Sequence, residues 1–236
     1  MKLRINSIKI LGFKMRFFDL NDFVTLFEEI FIHCDYKFHT ENKKPVILDC
    51  GSNIGLSVIY FKLLYPESQI TAFEAHGPAH SLLKLNILEN NISGVTIINR
   101  ALHSVSGKKM WFYSNSANPG ALGMTLVSGK PGHDRKDPVV SAVLSAYIKG
   151  RIDFVKMDIE GAETEVLPEI FKKGRAKYLN RMIVEYHHHV PAKSDKLGSV
   201  LSLFEKAGFG YCITSWAKPP FSKDMGQDML IYFYKK

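Results

Sequence analysis

The sequence predicts an α/β fold in which a mainly parallel sheet carries helices on both faces. Residues 46–48 are three consecutive apolar residues, which indicates a strand that is buried on both faces. A loop of small residues follows, and from residue 54 to residue 64 the apolar positions recur at helical spacing. Residues 69–74 then form a second strand-like run. Strands that alternate with helices in this way are typical of a parallel sheet with helical crossovers.

The segment before the first strand predicts a helix of its own. Apolar side chains recur at helical spacing through residues 21–32, and Asn21 or Asp22 can cap this helix at its amino end. We interpret residues 1–44 as an N-terminal helical extension, either a lid or a dimer element, ahead of a domain at residues 45–236. A dimer element would make the protein a homodimer.

Strands and helices continue to alternate beyond residue 74. A helix at 78–91 directs Leu82, Leu85 and Leu88 toward the sheet, and a third strand follows at 95–99. The remaining predicted elements are strands at 108–114, 153–158, 181–186, 211–214 and 229–234, a helix that opens at 159–163, and a helix at 194–207. Residues 115–138 are rich in Gly, Pro, Ser and Asn, which indicates either a loop that covers the substrate or a disordered segment.

Composition indicates a single-domain protein. With 236 residues, of which 46% are hydrophobic, the chain can bury one substantial core. No apolar stretch approaches the length of a membrane span, and the first residues lack the apolar segment of a signal peptide, so we expect a cytoplasmic location. The net charge of +8 is spread over separate basic pairs, which favours a generally basic surface over a nucleic-acid footprint. Cys34, Cys50 and Cys212 lack metal-site spacing and are interpreted as buried thiols.

The loop after the first strand, Asp49-x-Gly51-x-Asn53-x-Gly55, predicts a site for an adenosine cofactor. Gly51 and Gly55 allow the backbone to pass close to a ligand. Glu74 ends the second strand about twenty residues later, where a carboxylate accepts both ribose hydroxyls of NAD, FAD or S-adenosylmethionine. The loop lacks the G-x-G-x-x-G pattern of pyrophosphate binders, and the carboxylate of Asp49 suits an ammonium group better than a pyrophosphate. These features favour S-adenosylmethionine.

Polar residues follow several of the predicted strands. Since ligands of parallel sheets bind at the carboxyl ends of the strands, we expect these residues to share one crevice. They are Asp49 with the glycine loop, Glu74, Asn99 to Ala101, Asp158 with Glu160, and Glu185 with His187.

The blocks VILDCGSNIGLS, FEAHGP, NRAL, KMDIEGAE and VEYH resemble the FkbM family of S-adenosylmethionine-dependent methyltransferases. They span residues 46–187, and their order and spacing are more specific than any one of them. The resemblance implies the Rossmann-like class I methyltransferase fold, with a mainly parallel seven-stranded sheet and an antiparallel last strand. Two departures from the family's usual wording, at residues 50–53 and 75–76, remove no charged group.

The resemblance also implies a set of cofactor contacts. The methionine end is held by Asp49 with Gly51, Ser52, Asn53 and Gly55, the ribose by Glu74, and the adenine by the backbone near Asn99, Arg100 and Ala101, with Ala75 and Leu102 in apolar contact. Asp158 lies beside the expected methyl position and is assigned to the same site.

Transfer of a methyl group to a hydroxyl requires alignment of the acceptor and removal of its proton. We assign Asp158 to positioning and either His187 or Glu160 to the role of general base, because neighbouring carboxylates raise each other's proton affinity and histidine has a pKa of about 6.5. The alternative for His187 is that it is a structural or solvated histidine with no catalytic role. The same three side chains are donors of the kind that hold Mg²⁺ or Mn²⁺, but their spacing does not require a metal, and none is assigned.

The acceptor is inferred from elimination and from the resemblance. The chain has no N-P-P-Y block and no Pro-Cys nucleophile, which argues against the common amine and cytosine methylations of nucleic acids. Members of the family commonly methylate hydroxyls, so we expect O-methylation of a saccharide or a secondary metabolite. The alternatives are an RNA methyltransferase that uses the basic surface and a non-catalytic cofactor-binding protein.

Overall fold

The computed structural model describes residues 5–115, 125–126, 134–188, 195–215 and 227–236. The strands are β1 (Asn6–Ile10), β2 (Phe13–Phe17), β3 (Val46–Cys50), β4 (Gln69–Phe73), β5 (Val95–Ile98), β6 (Ala101–Leu102), β7 (Lys109–Ser114), β8 (Arg135–Ala142), β9 (Ile152–Met157), β10 (Leu179–His188), β11 (Phe209–Ser215) and β12 (Gln227–Lys235). The α-helices are α1 (Leu20–Phe27), α2 (Leu56–Leu64), α3 (Gly77–Glu89), α4 (Glu163–Lys172) and α5 (Leu197–Lys206). None of the helices in these ranges has the length and apolar character that crossing a bilayer requires.

Seven strands form the main sheet, in the order β11-β12-β10-β9-β3-β4-β5. Strands β3, β4, β5, β9 and β10 are mutually parallel, whereas β12 runs antiparallel to both of its neighbours. The prediction of a mainly parallel sheet with an antiparallel last strand is therefore confirmed. Because β4 and β9 flank β3, the strand order reverses at β3, and a crevice opens at its carboxyl end.

Neighbouring residues of the central strands point to opposite faces of the sheet and supply two apolar clusters. Ile47 and Phe154 belong to the cluster on the face covered by α1, α2 and α3. Leu48 and Val155 belong to the cluster on the face covered by α4 and α5. This alternation follows from the two-residue period of a strand and explains the continuous apolar runs in the sequence.

The N-terminal segment contains a hairpin that the sequence analysis did not predict. Strands β1 and β2 pair antiparallel, and Leu11 and Gly12, both with positive φ, form the two-residue turn. The predicted helix over residues 21–32 is present as α1 and a π-helical continuation, Glu28–Ile32. The residue predicted to cap it is wrong. Asp19, and neither Asn21 nor Asp22, is the cap, because its side chain accepts the backbone N–H groups of the next turn.

The N-terminal segment packs on the sheet through aromatic side chains. Phe23, Ile30, Tyr36 and Phe38 are buried in the cluster that also contains Phe154. Phe38 stacks on Phe154 with ring centroids 4.1 Å apart. The segment is thus anchored across the same edge of the sheet where the predicted site lies, and the division at residue 44 stays a prediction.

A second, three-stranded sheet lies beside the main one, in the order β6-β8-β7. The strand predicted at 108–114 is confirmed as β7, but it belongs to this small sheet. The predicted loop over residues 115–138 extends too far, because Pro138 lies within β8 and pairs with Trp111. Residues 116–124 and 127–133, which make up most of that loop, lie outside the described residues.

The orientation of α3 differs from the prediction. Leu82 is buried as expected, but Leu88 is 74% exposed. The buried positions are Ala79, Leu82, Leu83, Asn86 and Ile87, which recur three and four residues apart along one side of the helix. Leu88, six residues beyond Leu82, is turned toward solvent.

The cysteines also differ from one another. Cys50 is buried and Cys34 is half-buried, whereas Cys212 is exposed on β11 at the outer edge of the sheet. The interpretation of all three as buried thiols is therefore wrong for Cys212.

Candidate active site

A crevice with about 850 Å³ of empty space opens at the carboxyl end of β3. Ten of the residues expected at the site line it: Gly51, Ser52, Asn53, Glu74, Ala75, Arg100, Ala101, Leu102, Asp158 and Glu160. Five expected residues are not among its lining, namely Asp49, Gly55, Asn99, Glu185 and His187. The crevice is the candidate active site.

The two glycines of the loop are required by contacts inside the protein. Gly51 has a φ of 85°, and a Cβ atom placed there would lie 1.8 Å from the backbone oxygen of Asp158. Gly55 has a φ of 95°, and a Cβ atom there would lie 2.7 Å from Leu83 of α3. A side chain at either position therefore needs both a rare backbone conformation and a shift of its neighbours. Only Gly51 also faces the crevice.

Glu74 is held in place by the backbone. It is 7% exposed, and the N–H groups of Asn53 and His76 each donate to one of its carboxylate oxygens, at 2.8 Å. Burial raises the pKa of Glu74 to about 7, against the effect of these two hydrogen bonds. The carboxylate is thus fixed in orientation at the crevice wall and gains from hydrogen-bond donors that a ligand brings.

Asp49 lies behind the loop and is fully buried. Its Oδ2 accepts the hydroxyl of Ser57 at 2.6 Å, while Oδ1 has no hydrogen-bond partner among the described residues. Burial raises the pKa of Asp49, and the nearby ammonium of Lys156 opposes this shift. Because Ser57 lines the crevice, its hydroxyl links Asp49 to the crevice wall.

Lys156 is a site residue to which the sequence analysis gave no role. It is 3% exposed, and its Nζ donates to the backbone oxygen of Gly51 at 2.6 Å and lies 3.3 Å from Oδ2 of Asp158. Burial alone would lower the pKa of Lys156, but Asp158, Asp49 and Glu185 raise it above its ordinary value. The signal was visible, because a lysine in the middle of a buried strand must have a counter-charge.

His187 is enclosed by carboxylates. Its Nδ1 lies 3.2 Å from Oε1 of Glu163, and its Nε2 lies 3.5 Å from Oε2 of Glu160. Burial opposes the charged form of the ring, yet Glu163 and Glu160 raise the pKa of His187 well above its ordinary range. An imidazolium has no lone pair for a proton, so this arrangement favours Glu160 over His187 as the general base.

Glu163 organises the loop that carries Asp158 and Glu160. It is fully buried, and its Oε1 accepts the backbone N–H groups of Ile159 and Gly161 at 3.1 and 3.2 Å. Glu160 has a positive φ of 55°, a conformation that these hydrogen bonds help to hold. The sequence analysis placed Glu163 only at the start of a helix.

The donor set for a metal differs from the one considered in the sequence analysis. Asp158, Glu185 and His187 have ligand atoms within 4.8 Å of one another, whereas Glu160 is not in this group. Both ring nitrogens of His187 face other carboxylates, and Lys156 already provides a positive charge at Asp158. These residues therefore fit a divalent metal poorly.

The far end of the crevice is apolar. Asn99, which does not line the crevice, donates to the backbone oxygens of Glu74 and Ala75 at 2.8 and 3.0 Å and so fixes the end of β4. The apolar lining that the sequence analysis did not assign comes from Leu26, Ile30, Tyr36, Leu56, Phe73, Phe112, Leu126 and Ile159. Thr125 donates to the backbone oxygen of Glu160 at 2.5 Å, which brings residues 125–126 across the crevice.

Known proteins resemble the chain in both sequence and fold. The model of the methyltransferase FkbM domain matches residues 49–211. Methyltransferase sdnD from Sordaria araneosa is 31% identical over 173 residues, which cover 60% of this chain and 66% of that protein. The crystal structure of a methyltransferase FkbM from Methylobacillus flagellatus matches with a TM-score of 0.53 at 16% identity, over 84% of this chain and 45% of that chain. The crystal structure of TYW2 from M. jannaschii in complex with AdoMet matches with a TM-score of 0.52 at 13% identity, over 100% of this chain and 89% of that chain.

The solved structures are too distant in sequence to indicate more than a common fold. The family model is more informative, because it covers more than two thirds of the 236 residues and includes both the glycine loop and the strand end at Asp158. The chain therefore belongs to the FkbM family of methyltransferases.

Proposed function

We propose that the protein uses S-adenosylmethionine to methylate a hydroxyl oxygen of a saccharide or a secondary metabolite. The observation that carries this proposal is the carboxylate of Glu74, which two backbone hydrogen bonds orient at the wall of the crevice. A distant structural neighbour was solved in complex with AdoMet, which supports the same cofactor. S-adenosylmethionine supplies an electrophilic methyl group on a sulfonium.

The residues of the crevice divide between the parts of this cofactor. Glu74 accepts the ribose hydroxyls, and the loop at Gly51, Ser52 and Asn53 holds the methionine end, with Asp49 acting through Ser57. The side of the crevice that is assigned to the adenine is lined by Ala75, Arg100, Ala101 and Leu102. Asn99 fixes the end of β4 through its hydrogen bond to the backbone oxygen of Glu74.

The catalytic roles fall on the loop after β9. Asp158 is a positioning residue, because Lys156 fixes its carboxylate at the crevice wall. Glu160 is half-exposed, lines the crevice and removes the proton of the acceptor hydroxyl. His187 holds Glu160 in place as its charged partner. No metal is part of the proposal, because the donor set fits one poorly.

The N-terminal segment is proposed as a lid. Leu26, Ile30 and Tyr36 line the crevice, so this segment separates the reacting groups from water. The position of this segment at the crevice wall supports a role as a lid rather than as a dimer element.

The position of the transferred methyl group tests the proposed reaction. The protein is incubated with trideuteromethyl-labelled S-adenosylmethionine and a panel of neutral saccharides, amino-substituted saccharides, phenols and RNA. We expect labelled product with the methyl carbon on oxygen, read by mass spectrometry and carbon NMR. Label on nitrogen or in RNA, or no label in any acceptor, would contradict O-methylation.

The Glu160→Gln variant tests the general base in the same assay. We expect kcat to fall by about 10²-fold or more, because the amide of the variant cannot take the proton from the hydroxyl that is methylated. Binding of S-adenosylhomocysteine should be unchanged. Glu41→Gln, at an almost fully exposed carboxylate away from the crevice, is the control and should keep the kcat of the wild type.

A further inference from the structure

A second cavity lies beside the crevice at the same edge of the sheet. It is open to solvent and has about 810 Å³ of empty space between the π-helical segment, β10 and β12. Tyr36 lines both spaces. The polar side chains of the second cavity come from Glu29, His33, Asp35, Glu185 and Asp228. We call it the acidic cavity.

The charge of the acidic cavity is opposite to that of the chain. Four carboxylates line it, and among the described residues of its lining none is Lys or Arg. The chain as a whole carries a net charge of +8. Composition therefore does not account for a cluster of this sign in a concave site, where walls of low dielectric strengthen its field.

Glu185 is the innermost carboxylate of this cavity. It is partly buried, and it accepts no hydrogen bond from any of the described residues. Repulsion from Asp158, together with burial, raises the pKa of Glu185 well above its ordinary value. Lys156 and His187 both lower the pKa of Glu185, but each is shared with other acids. Lys156 pairs with Asp158, and His187 lies between Glu160 and Glu163.

Two of the other acids, Glu29 and Asp35, are in similar surroundings, whereas Asp228 is exposed. Burial and then the charges of Asp158 and Asp35 raise the pKa of Glu29, and burial raises the pKa of Asp35. Glu29, Asp35 and Glu185 are thus crowded, partly dehydrated and only partly compensated by cations of the protein. A cationic ligand would relieve this repulsion, whereas an anionic ligand would increase it.

We propose that the acidic cavity is the acceptor subsite and that it selects an acceptor carrying a protonated amine. The inference rests on the proposed function, because it takes the neighbouring crevice as the cofactor site. The ammonium group lies among Glu29, Glu185 and Asp228, and the acceptor hydroxyl reaches past Tyr36 to Asp158 and Glu160. Phosphorylated acceptors and RNA are excluded by the same charges.

Three probes of equal length separate charge from shape in the test. Binding of cadaverine, pentanediol and glutarate to the full chain is measured by saturation-transfer NMR in the presence of S-adenosylhomocysteine. We expect cadaverine to bind about tenfold or more tightly than pentanediol, and added salt to weaken it, because each nearby carboxylate attracts the ammonium groups. Glutarate should not bind.

Variants assign this binding to the cavity. The double variant Glu29→Gln, Asp228→Asn should lose the preference for cadaverine, and each single substitution should reduce it in part. Glu67→Gln, at an exposed carboxylate paired with Lys44, is the matched control and should behave as wild type. Thermal unfolding of each variant shows that the fold is kept.

Three results would overturn the proposal: pentanediol binding as well as cadaverine, an unchanged preference in the double variant, or displacement of cadaverine by micromolar Mn²⁺, which would make the cavity a metal site. S-adenosylhomocysteine is titrated into the same samples. If it binds but cadaverine shows no preference, the subsite alone is refuted. If it does not bind, the cofactor assignment fails, and with it the assignment of the cavity to the acceptor.

Discussion

Replacing Gly51 by alanine is expected to destabilise the protein by about 2–5 kcal/mol and to abolish cofactor binding. The added Cβ would lie 1.8 Å from the backbone oxygen of Asp158, and the residue would keep a φ of 85° that alanine rarely adopts. This clash cannot be relieved cheaply, because the atom that the Cβ would meet belongs to the backbone of Asp158. The shift displaces the loop and the end of β9 together, and both line the crevice.

Gly12 provides a matched control for this substitution. It also has a φ of 85°, but a Cβ atom there meets nothing within 4 Å. Gly12→Ala should therefore cost only the conformational term of about 1–2 kcal/mol and leave the binding of S-adenosylhomocysteine intact. Urea unfolding and calorimetry on both variants measure the difference. Equal losses of stability in Gly51→Ala and Gly12→Ala would show that the contact with Asp158 does not contribute to the free energy of unfolding.

Replacing Lys156 by methionine is expected to destabilise the protein by about 3–5 kcal/mol near neutral pH. The variant leaves Asp49, Asp158 and Glu185 in a buried cluster without the ammonium that now compensates them. The pKa values of Asp49 and Glu185, which burial and neighbouring charges already raise in the folded protein, then rise further above the unfolded values. The folded state binds more protons than the unfolded state between those two sets of values, so stability is lost as the pH rises through that window.

Unfolding in denaturant at about pH 5 and about pH 8 measures this effect, and the loss should be smaller at the lower pH. Lys62→Met is the control, because Lys62 is also buried but donates only to the backbone oxygens of Ser68 and Pro66. Its removal should have a smaller effect that does not change over this pH range. A loss in Lys156→Met that is the same at both pH values would contradict the role of Lys156 as the counter-charge.

The fold could be predicted to the extent that one strand or helix carries its own signal. The runs at Ile47 and Phe154 are apolar on both faces, which identifies central strands of a parallel sheet. The hairpin of β1 and β2 was missed because its turn, Leu11-Gly12, lacks the usual Asn-Gly signal and its first strand is mostly exposed. The side of α3 that is buried depends on packing against the loop at Gly55, which the sequence does not specify.

The candidate site shows the same limit more sharply. Glu74 and Asp158 could be assigned because strand ends of a parallel sheet meet at one edge. Lys156 carried a local signal that was not used, whereas the contact of Glu163 with His187 joins two separate elements and had none. The acidic cavity combines Glu29, Glu185 and Asp228 from distant parts of the chain, so only the tertiary structure brings it together.

Calorimetric titration with S-adenosylhomocysteine, beside NADH, tests the cofactor assignment most directly. The wild type should bind S-adenosylhomocysteine alone, and about tenfold more tightly at about pH 8 than at about pH 6, because Glu74 has a pKa of about 7 and accepts the ribose hydroxyls in its ionised form. Glu74→Gln should bind weakly and without this pH dependence. Binding of NADH alone, or equal affinity for S-adenosylhomocysteine in the wild type and the variant, would contradict a methyl-donor site at Glu74.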